Sequence, residues 1–305
     1  MPTDPQRSDP ATRRRSSRIV TAVNSWFADA ARDLPWRPTP TRTVTPWQVM
    51  VSEFMLQQTP VSRVLEPWTN WVHRWPSPAA LADAPVAEAI RAWGRLGYPR
   101  RALRLHRAAT EITDRFDGRV PAKFDDLRSL PGVGDYTAAA IATFAFGQRH
   151  AVCDVNVRRV LARAIDGRAQ PAPNPKVEQA IAEQMLPRDT ERAVTWAAAA
   201  MELGALVCTS RSPDCPSCPI AKHCAWRAAG HPAAEVVQRT QAWHGTDRQC
   251  RGRLMAHLRS TDQPVPAADL IHCWPDDDDQ RDRCLSSLVE DGLVVEVENR
   301  FALPH

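Results

Sequence analysis

The chain has 305 residues, 43% of them apolar, and a formal net charge of +4. That length suits two or three domains and a sizeable core, and so small a charge does not by itself mark a nucleic-acid binder. No run of about 18 apolar residues occurs, so no membrane-spanning helix is expected. Eight cysteines without a secretory leader do not suggest a secreted disulfide scaffold.

Lysine occurs only at 123, 176 and 222, so the basic charge is almost all arginine. Arginine suits phosphate contact, and a GC-rich genome would give the same composition. Residues 1–18 hold Pro2, Pro5, Pro10 and five arginines without an apolar core, and read as a disordered basic tail. Ile19 to Ala31 reads as an amphipathic helix with Val20, Val23, Trp26, Phe27 and Ala30 inward, ended by Leu34-Pro35-Trp36-Arg37. Pro46-Trp47 opens a second helix with Val49, Met50, Val51, Phe54, Met55 and Leu56. One acid, Glu53, stands in it. A carboxyl buried among such neighbours has a raised pKa and can act as a general acid at neutral pH; a glutamate on a polar helix face is the plainer alternative. Gln57-Gln58-Thr59-Pro60 closes the helix, with amides that can reach base edges or simply cap. Val61 to Trp75 and Ser77 to Gly97 are helical, and Leu96-Gly97-Tyr98-Pro99 is a break. Arg100 and Arg101 start a basic helix that runs to Phe116, with His106 read as a surface residue.

Phe124, Leu127 and Leu130 then lead into the turn Pro131-Gly132-Val133-Gly134 and an Ala-rich helix from Asp135 to Phe146. The unit is helix, glycine hairpin, helix. Glycines at a helix N-terminus let backbone N–H groups converge on an anionic oxygen such as a DNA phosphate; an ordinary helix–helix turn is equally compatible. Asp154 follows the apolar run Ala151-Val152-Cys153 and opens a helix from Val155 to Ile165. Further helices cover Val177 to Leu186, after the Pro-rich loop 170–175, and Arg192 to Leu206.

Cys208, Cys215, Cys218 and Cys224 follow with spacing C-x6-C-x2-C-x5-C, stiffened by Pro213, Pro216 and Pro219. Four thiolates at this density can surround a 4Fe-4S cluster or one tetrahedral zinc, and spacing alone does not choose between them. Cys153, Cys250, Cys273 and Cys284 are scattered and read as small buried hydrophobes.

These blocks, taken in order, resemble the adenine DNA glycosylase (MutY) family of the endonuclease III helix-hairpin-helix superfamily. The resemblance spans about residues 19–230 and rests on Leu34–Arg37, Ser52–Thr59, Leu96–Tyr98, Leu130–Gly134, Asp154–Val160 and the four cysteines. It implies a mainly α fold, the helix-hairpin-helix DNA glycosylase fold of a six-helix barrel (46–155) plus an iron–sulfur cluster domain (19–45 and 156–230). It also implies a 4Fe-4S cluster on Cys208, Cys215, Cys218 and Cys224, not zinc. The implied activity is removal of adenine mispaired with 8-oxoguanine or guanine, by a cytoplasmic, nucleoid-associated monomer acting on double-stranded DNA. Glu53 is then the general acid. Asp154 stabilises the oxocarbenium ion or adds to it, with Tyr136 and Asn156 orienting the two carboxyls and the flipped base. Gln58 fills the gap or probes the partner base, Tyr98 and Thr137 contact DNA, and Gly132 and Gly134 grip phosphate. Endonuclease III carries a lysine nucleophile where this chain has Tyr136, which cannot form an imine; a monofunctional glycosylase is therefore expected, with a bifunctional glycosylase/lyase as the alternative.

Two departures stand out. Pro99 occupies a position where the family often has a second tyrosine that wedges beside the base, so the wedge role either passes to Tyr98 or is lost. Residues 246–305, after a linker at 231–245, are too few for the MutT-like domain that reads 8-oxoguanine in many members. They read as three helices (Gln249–Arg259, Ala267–Trp274, Asp277–Glu290) and a hairpin (Leu293–Leu303) turning at Asn299. This suggests a small winged-helix-like α+β module, which either contacts DNA or only packs.

Overall fold

The computed structural model describes residues 10–234 and 243–305, so part of the expected linker lies outside the described residues. The helices are α1 (Pro10–Ala30), α2 (Pro46–Leu56), α3 (Val61–Arg74), α4 (Pro78–Ala82), α5 (Val86–Trp93), α6 (Arg100–Arg115), α7 (Phe124–Arg128) and α8 (Asp135–Phe146). They continue with α9 (Val155–Ala164), α10 (Lys176–Met185), α11 (Thr190–Leu206), α12 (Ala225–Ala228), α13 (Asp247–Arg259), α14 (Ala267–Leu270) and α15 (Asp278–Glu290). Three short strands, β1 (Val265–Pro266), β2 (Val295–Val297) and β3 (Arg300–Ala302), form the sheet described below.

The chain packs as two units. The described residues of the first are 10–39, 122–128 and 134–234; those of the second are 40–121, 129–133 and 243–305. In the first, Ile19, Val20 and Val23 of α1 share a core with Val157, Val160 and Leu161 of α9 and Trp196, Ala200 and Leu203 of α11. The expected tail is corrected over 10–18, which are the first turns of α1; its residues 1–9 lie outside the described residues. Arg15 docks there, its Nη2 donating to the carbonyls of Ala164 and His223, each at 2.8 Å. Arginine is a good helix former, and side chains that bond to carbonyls need no apolar signature. The Leu34–Arg37 block has a structural use in this unit. Arg32 Nε (2.6 Å) and Arg37 Nη2 (2.8 Å) both pair with the buried carboxylate of Glu202.

In the second unit, α2 begins with Pro46 behind the N-cap Thr45, whose hydroxyl and backbone exchange hydrogen bonds with Gln48. Trp71 meets Trp75 (4.6 Å) and Trp93 (5.6 Å) edge-on, and Trp47 Nε1 donates to the Trp75 carbonyl at 2.9 Å. His106 is buried rather than a surface residue, with Nε2 at 2.8 Å from the Ala84 carbonyl. It lies one residue from Leu105, so the wide apolar face of α6 takes it in.

The C-terminal residues form the expected module. Strands β1, β3 and β2 lie antiparallel in that order. Glu298 and Asn299 both have positive φ, as a two-residue I′ hairpin turn requires. The module shares its core with α5 and α6: Leu254, Leu258, Leu285 and Leu288 pack with Ala87, Ile90 and Leu103.

Candidate functional site

Asp154 ends an extended run and caps α9. Its Oδ1 accepts from the backbone N–H groups of Asn156 (2.9 Å) and Val157 (2.7 Å), and its Oδ2 from Asn156 Nδ2 (2.8 Å). Asn156 Oδ1 in turn accepts from Arg159 Nη2 at 2.8 Å. Arg159 also donates to the carbonyls of Gly204 and Cys208, each at 2.7 Å. A short hydrogen-bonded path thus runs from the Asp154 carboxylate to the backbone of the first cysteine of the cluster motif. Gly204 is part of it. A Cβ there would lie 2.7 Å from Asn156 Cβ and 2.8 Å from its carbonyl oxygen. Burial raises the Asp154 pKa above its ordinary value, against the pull of its three hydrogen bonds and of Arg159. Beside it Val155 is 69% exposed.

The hairpin glycines differ. Gly132 has φ +80°, and a Cβ would meet Arg104 Cβ at 2.8 Å and Phe54 Cε1 at 2.9 Å. Gly134 caps α8 at φ −93° with no side-chain cap bond, and a Cβ on it would find open space. The first N–H groups of the 12-residue α8 thus receive no side-chain cap from Gly134. Thr137 is buried, and Tyr136 packs partly buried against Ala139, Ala140, Val152 and Ala197.

In the second unit, Glu53 is 5% exposed, in a helix whose Val49, Met50, Val51, Phe54 and Met55 are all buried. The polar-face alternative is excluded. The end of α2 is held by a residue that sequence reasoning passed over. Arg101 is buried, and its Nη1 donates to the carbonyls of Phe54 (3.0 Å), Met55 (3.0 Å) and Gln57 (2.5 Å). Its Nη2 donates to Thr59 Oγ1 (2.9 Å) and the carbonyls of Leu96 (3.3 Å) and Gly97 (3.0 Å). Burial lowers its pKa to about 10. A signal was available: Arg101, Leu105, Ala108 and Ile112 follow helical spacing and are all buried. Two exposed residues flank this clamp, both left-handed without being glycine: Gln58 at φ +56° and Tyr98 at φ +47°. Such backbones are costly and cluster at working sites.

Cys208, Cys215, Cys218 and Cys224 line one cavity of about 390 Å³, part of it open to solvent, with Arg163, Leu203, Val207 and Ile220. Arg163 lies with Nη1 3.5 Å from Cys208 Sγ and also donates to the Thr209 (2.6 Å) and Ser210 (3.1 Å) carbonyls of the loop. A fixed cation suits a site holding anionic thiolates. Burial, with neighbouring cysteines, raises the thiol pKa of Cys215 and pushes Cys218 up to about 11. Among the described residues no group of three or more His, Cys, Asp or Glu is arranged to hold a single metal ion. Cys250 and Cys284 are buried, as expected, and Cys153 and Cys273 partly so.

Residues 51–187 match the family described as HhH-GPD superfamily base excision DNA repair protein. A protein of Mycolicibacterium smegmatis named adenine DNA glycosylase is 52% identical over 280 residues, covering 92% of this chain and 94% of its own. The chain belongs to the adenine DNA glycosylase family. A match of that length necessarily runs into the C-terminal module. Among solved structures, a thermostable thymine-DNA glycosylase superposes with TM-score 0.63 at 26% identity, covering 72% of this chain and 99% of its own. A trapped endonuclease III–DNA covalent intermediate gives TM-score 0.62 at 21% identity, with the same coverage, and shows the shared fold. The helix-hairpin-helix architecture of this adenine DNA glycosylase family member is therefore shown by sequence and structure together.

Proposed function

We propose that this chain removes adenine mispaired with 8-oxoguanine or guanine from double-stranded DNA, as a monofunctional glycosylase of base excision repair. The observation that carries the reading is Glu53, an acid buried in an apolar helix. Adenine is a poor leaving group, and such a carboxyl is suited to stay neutral and protonate adenine N7 as the N-glycosidic bond breaks. The deoxyribose then carries oxocarbenium character. Asp154, ionised and fixed by Asn156 and two backbone N–H groups, stabilises that cation or bonds to it, as in retaining glycosidases. Glu53 helps activate the water that completes hydrolysis. Tyr136 supplies no amine for a Schiff base, which argues against the lyase.

The target base must leave the stack, at a cost of roughly a few kcal/mol that is lower at a mispair. Gln58 and Tyr98 serve as probes of the opened pair, and the N-terminus of α8 beside Gly132 and Gly134 grips phosphate. Cys208, Cys215, Cys218 and Cys224 would hold a 4Fe-4S cluster, whose chemistry there is to tie the loop together and set its charge. The cavity, the sulfur-only donor set and Arg163 fit such a group. The cluster domain (19–45, 156–230), barrel (46–155) and module (246–305) belong to this reading, as do a monomer and action at the nucleoid. No described helix is long and apolar enough to cross a membrane.

Single-turnover excision on duplexes with adenine opposite 8-oxoguanine, guanine, cytosine or thymine tests it, read with and without hot alkali. Strand breaks only after alkali, at adenine opposite 8-oxoguanine and guanine, are expected. Breaks without alkali, with borohydride trapping, would move the assignment to a lyase. Glu53→Gln and Asp154→Asn are expected to lose excision while keeping mispair binding; retained excision in either removes that carboxyl from its role.

A further inference from the structure

The segment that carries Tyr98 is built against the grain of its backbone. Gly94 (φ +54°), Gly97 (φ +81°) and Tyr98 (φ +47°) are all left-handed. Its carbonyls are held by arginines at four consecutive positions. Gly94 O accepts from Arg259 Nη1 at 2.5 Å and Arg95 O from Arg63. Leu96 O and Gly97 O accept from Arg101 Nη2. The donors come from three elements: Arg63 from α3, Arg101 from α6 and Arg259 from the last turn of α13.

Arg259 belongs to the C-terminal module, which the proposed chemistry leaves without a task. Burial and the like charge of Arg95 both lower its pKa, so it is a guanidinium held where charge is disfavoured. The module is fixed around this contact. Arg91 of α5 donates to the Thr261 carbonyl at 3.1 Å and pairs with Asp262 at 2.9 Å. Asp291, at the end of α15, pairs with both Arg100 of α6 (3.1 Å) and Arg251 of α13 (2.5 Å). The start of α15 carries Asp277, Asp278 and Asp279, a poor face for a phosphate backbone.

We infer that the C-terminal module positions the mispair-probing segment, and that Arg259 is a positioning residue acting on Tyr98 through the Gly94 carbonyl. The physical logic is over-determination. A left-handed tyrosine keeps its geometry only while its neighbours hold the backbone on every side, and the module supplies the hold at the segment's first residue. The inference deepens the adenine-excision reading and rests on it for what Tyr98 probes.

The test uses the full chain with Arg259→Met and Arg259→Lys, each checked for wild-type melting. Single-turnover excision is read on adenine opposite 8-oxoguanine, guanine and cytosine, with hydrogen exchange over residues 94–98. For Arg259→Met the exchange at the Gly94 and Leu96 amides should quicken. The rate on the 8-oxoguanine duplex relative to cytosine should fall about tenfold, and Arg259→Lys, which keeps a donor, should recover most of both. Should Arg259→Met not fold, Arg259→Gln carries the same comparison. Unchanged exchange and an unchanged ratio overturn the inference. So does an equal loss of affinity for matched and mispaired duplexes with a shallower salt dependence, which would make Arg259 a phosphate contact. If the wild-type chain releases no adenine, the excision reading falls, and exchange with mispaired-against-matched binding decides the inference: both must change in Arg259→Met to support it.

Discussion

Asp154 is asked to be charged in a place that disfavours charge. Its raised pKa means that the folded chain binds its proton more tightly than the unfolded chain does. Its contribution to stability is therefore present below the unfolded pKa and is lost as pH rises through the folded one. Asp154→Asn removes that loss and keeps the cap, since asparagine caps helices as well as aspartate. The variant is expected to melt higher than wild type at pH 7, with the gap closing as pH falls below the ordinary aspartate range. Thermal melts across pH check this; a lower melting temperature at pH 7 would refute it. The same sign applies to rate. Arg159 and the Asn156 side chain lower the Asp154 pKa, so Arg159→Gln or Asn156→Leu should move the acid limb of the pH–rate profile upward. Gly204→Ala should act likewise without touching a polar group, because its methyl would displace Asn156. The two hairpin glycines should separate. Gly132→Ala meets strain and a clash and is expected to cost about 2–4 kcal/mol. Gly134→Ala should leave melting nearly unchanged while weakening DNA binding, as gel shift beside melting would show.

At the scale of elements, α2 and the 94–98 segment share one fastener. Arg101 serves five carbonyls and the Thr59 hydroxyl, and Arg101→Met removes that donor from Phe54, Met55, Thr59 and Leu96, all buried. A loss of about 3 kcal/mol or more is expected, measurable by urea denaturation; a loss under ~1 kcal/mol would show that water replaces the guanidinium. What the residues disclose and what they hide divides along this line. Apolar spacing located α2, α6, α8 and α11, and the helix–helix–helix–hairpin order of the module, because burial leaves a period in the sequence. Glu53 and Asp154 were marked by the motifs around them. Arg159 and Arg259 carry no such mark, because a donor to backbone carbonyls has no partner residue type to betray it, whereas Arg101 falls on the apolar period of α6. The first turns of α1 hide for the same reason: Arg15 bonds to two carbonyls, and polarity without an apolar period looks like disorder.

For the whole molecule, the four cysteines set a stoichiometry. Purified protein is expected to carry about four irons and four sulfides per chain, with Cys218→Ser losing iron and, through Arg159 and Cys208, excision. Zinc in place of iron would replace the cluster assignment. Two-unit packing was only partly foreseeable. The division passes between Val133 and Gly134, inside the hairpin, and nothing in a glycine turn tells which side each glycine joins. The module was legible as a shape from its helices and turn, but its seat on Ala87, Ile90 and Leu103 was not, since those residues serve equally well as core of their own helices.

The union of α1 with α11 also governs the birth of the protein. Val23 and Leu203 lie in one core at opposite ends of most of the chain. At a ribosomal pace of roughly 5–20 residues per second, the apolar stripe of α1 waits about 10–35 s for α11 to be made, with α9 the earlier of its two core partners. During that interval Ile19, Val20 and Val23 are an open invitation to chaperones, and to neighbouring nascent chains. Translation speed after residue 30 thus sets how long that stripe stays uncovered.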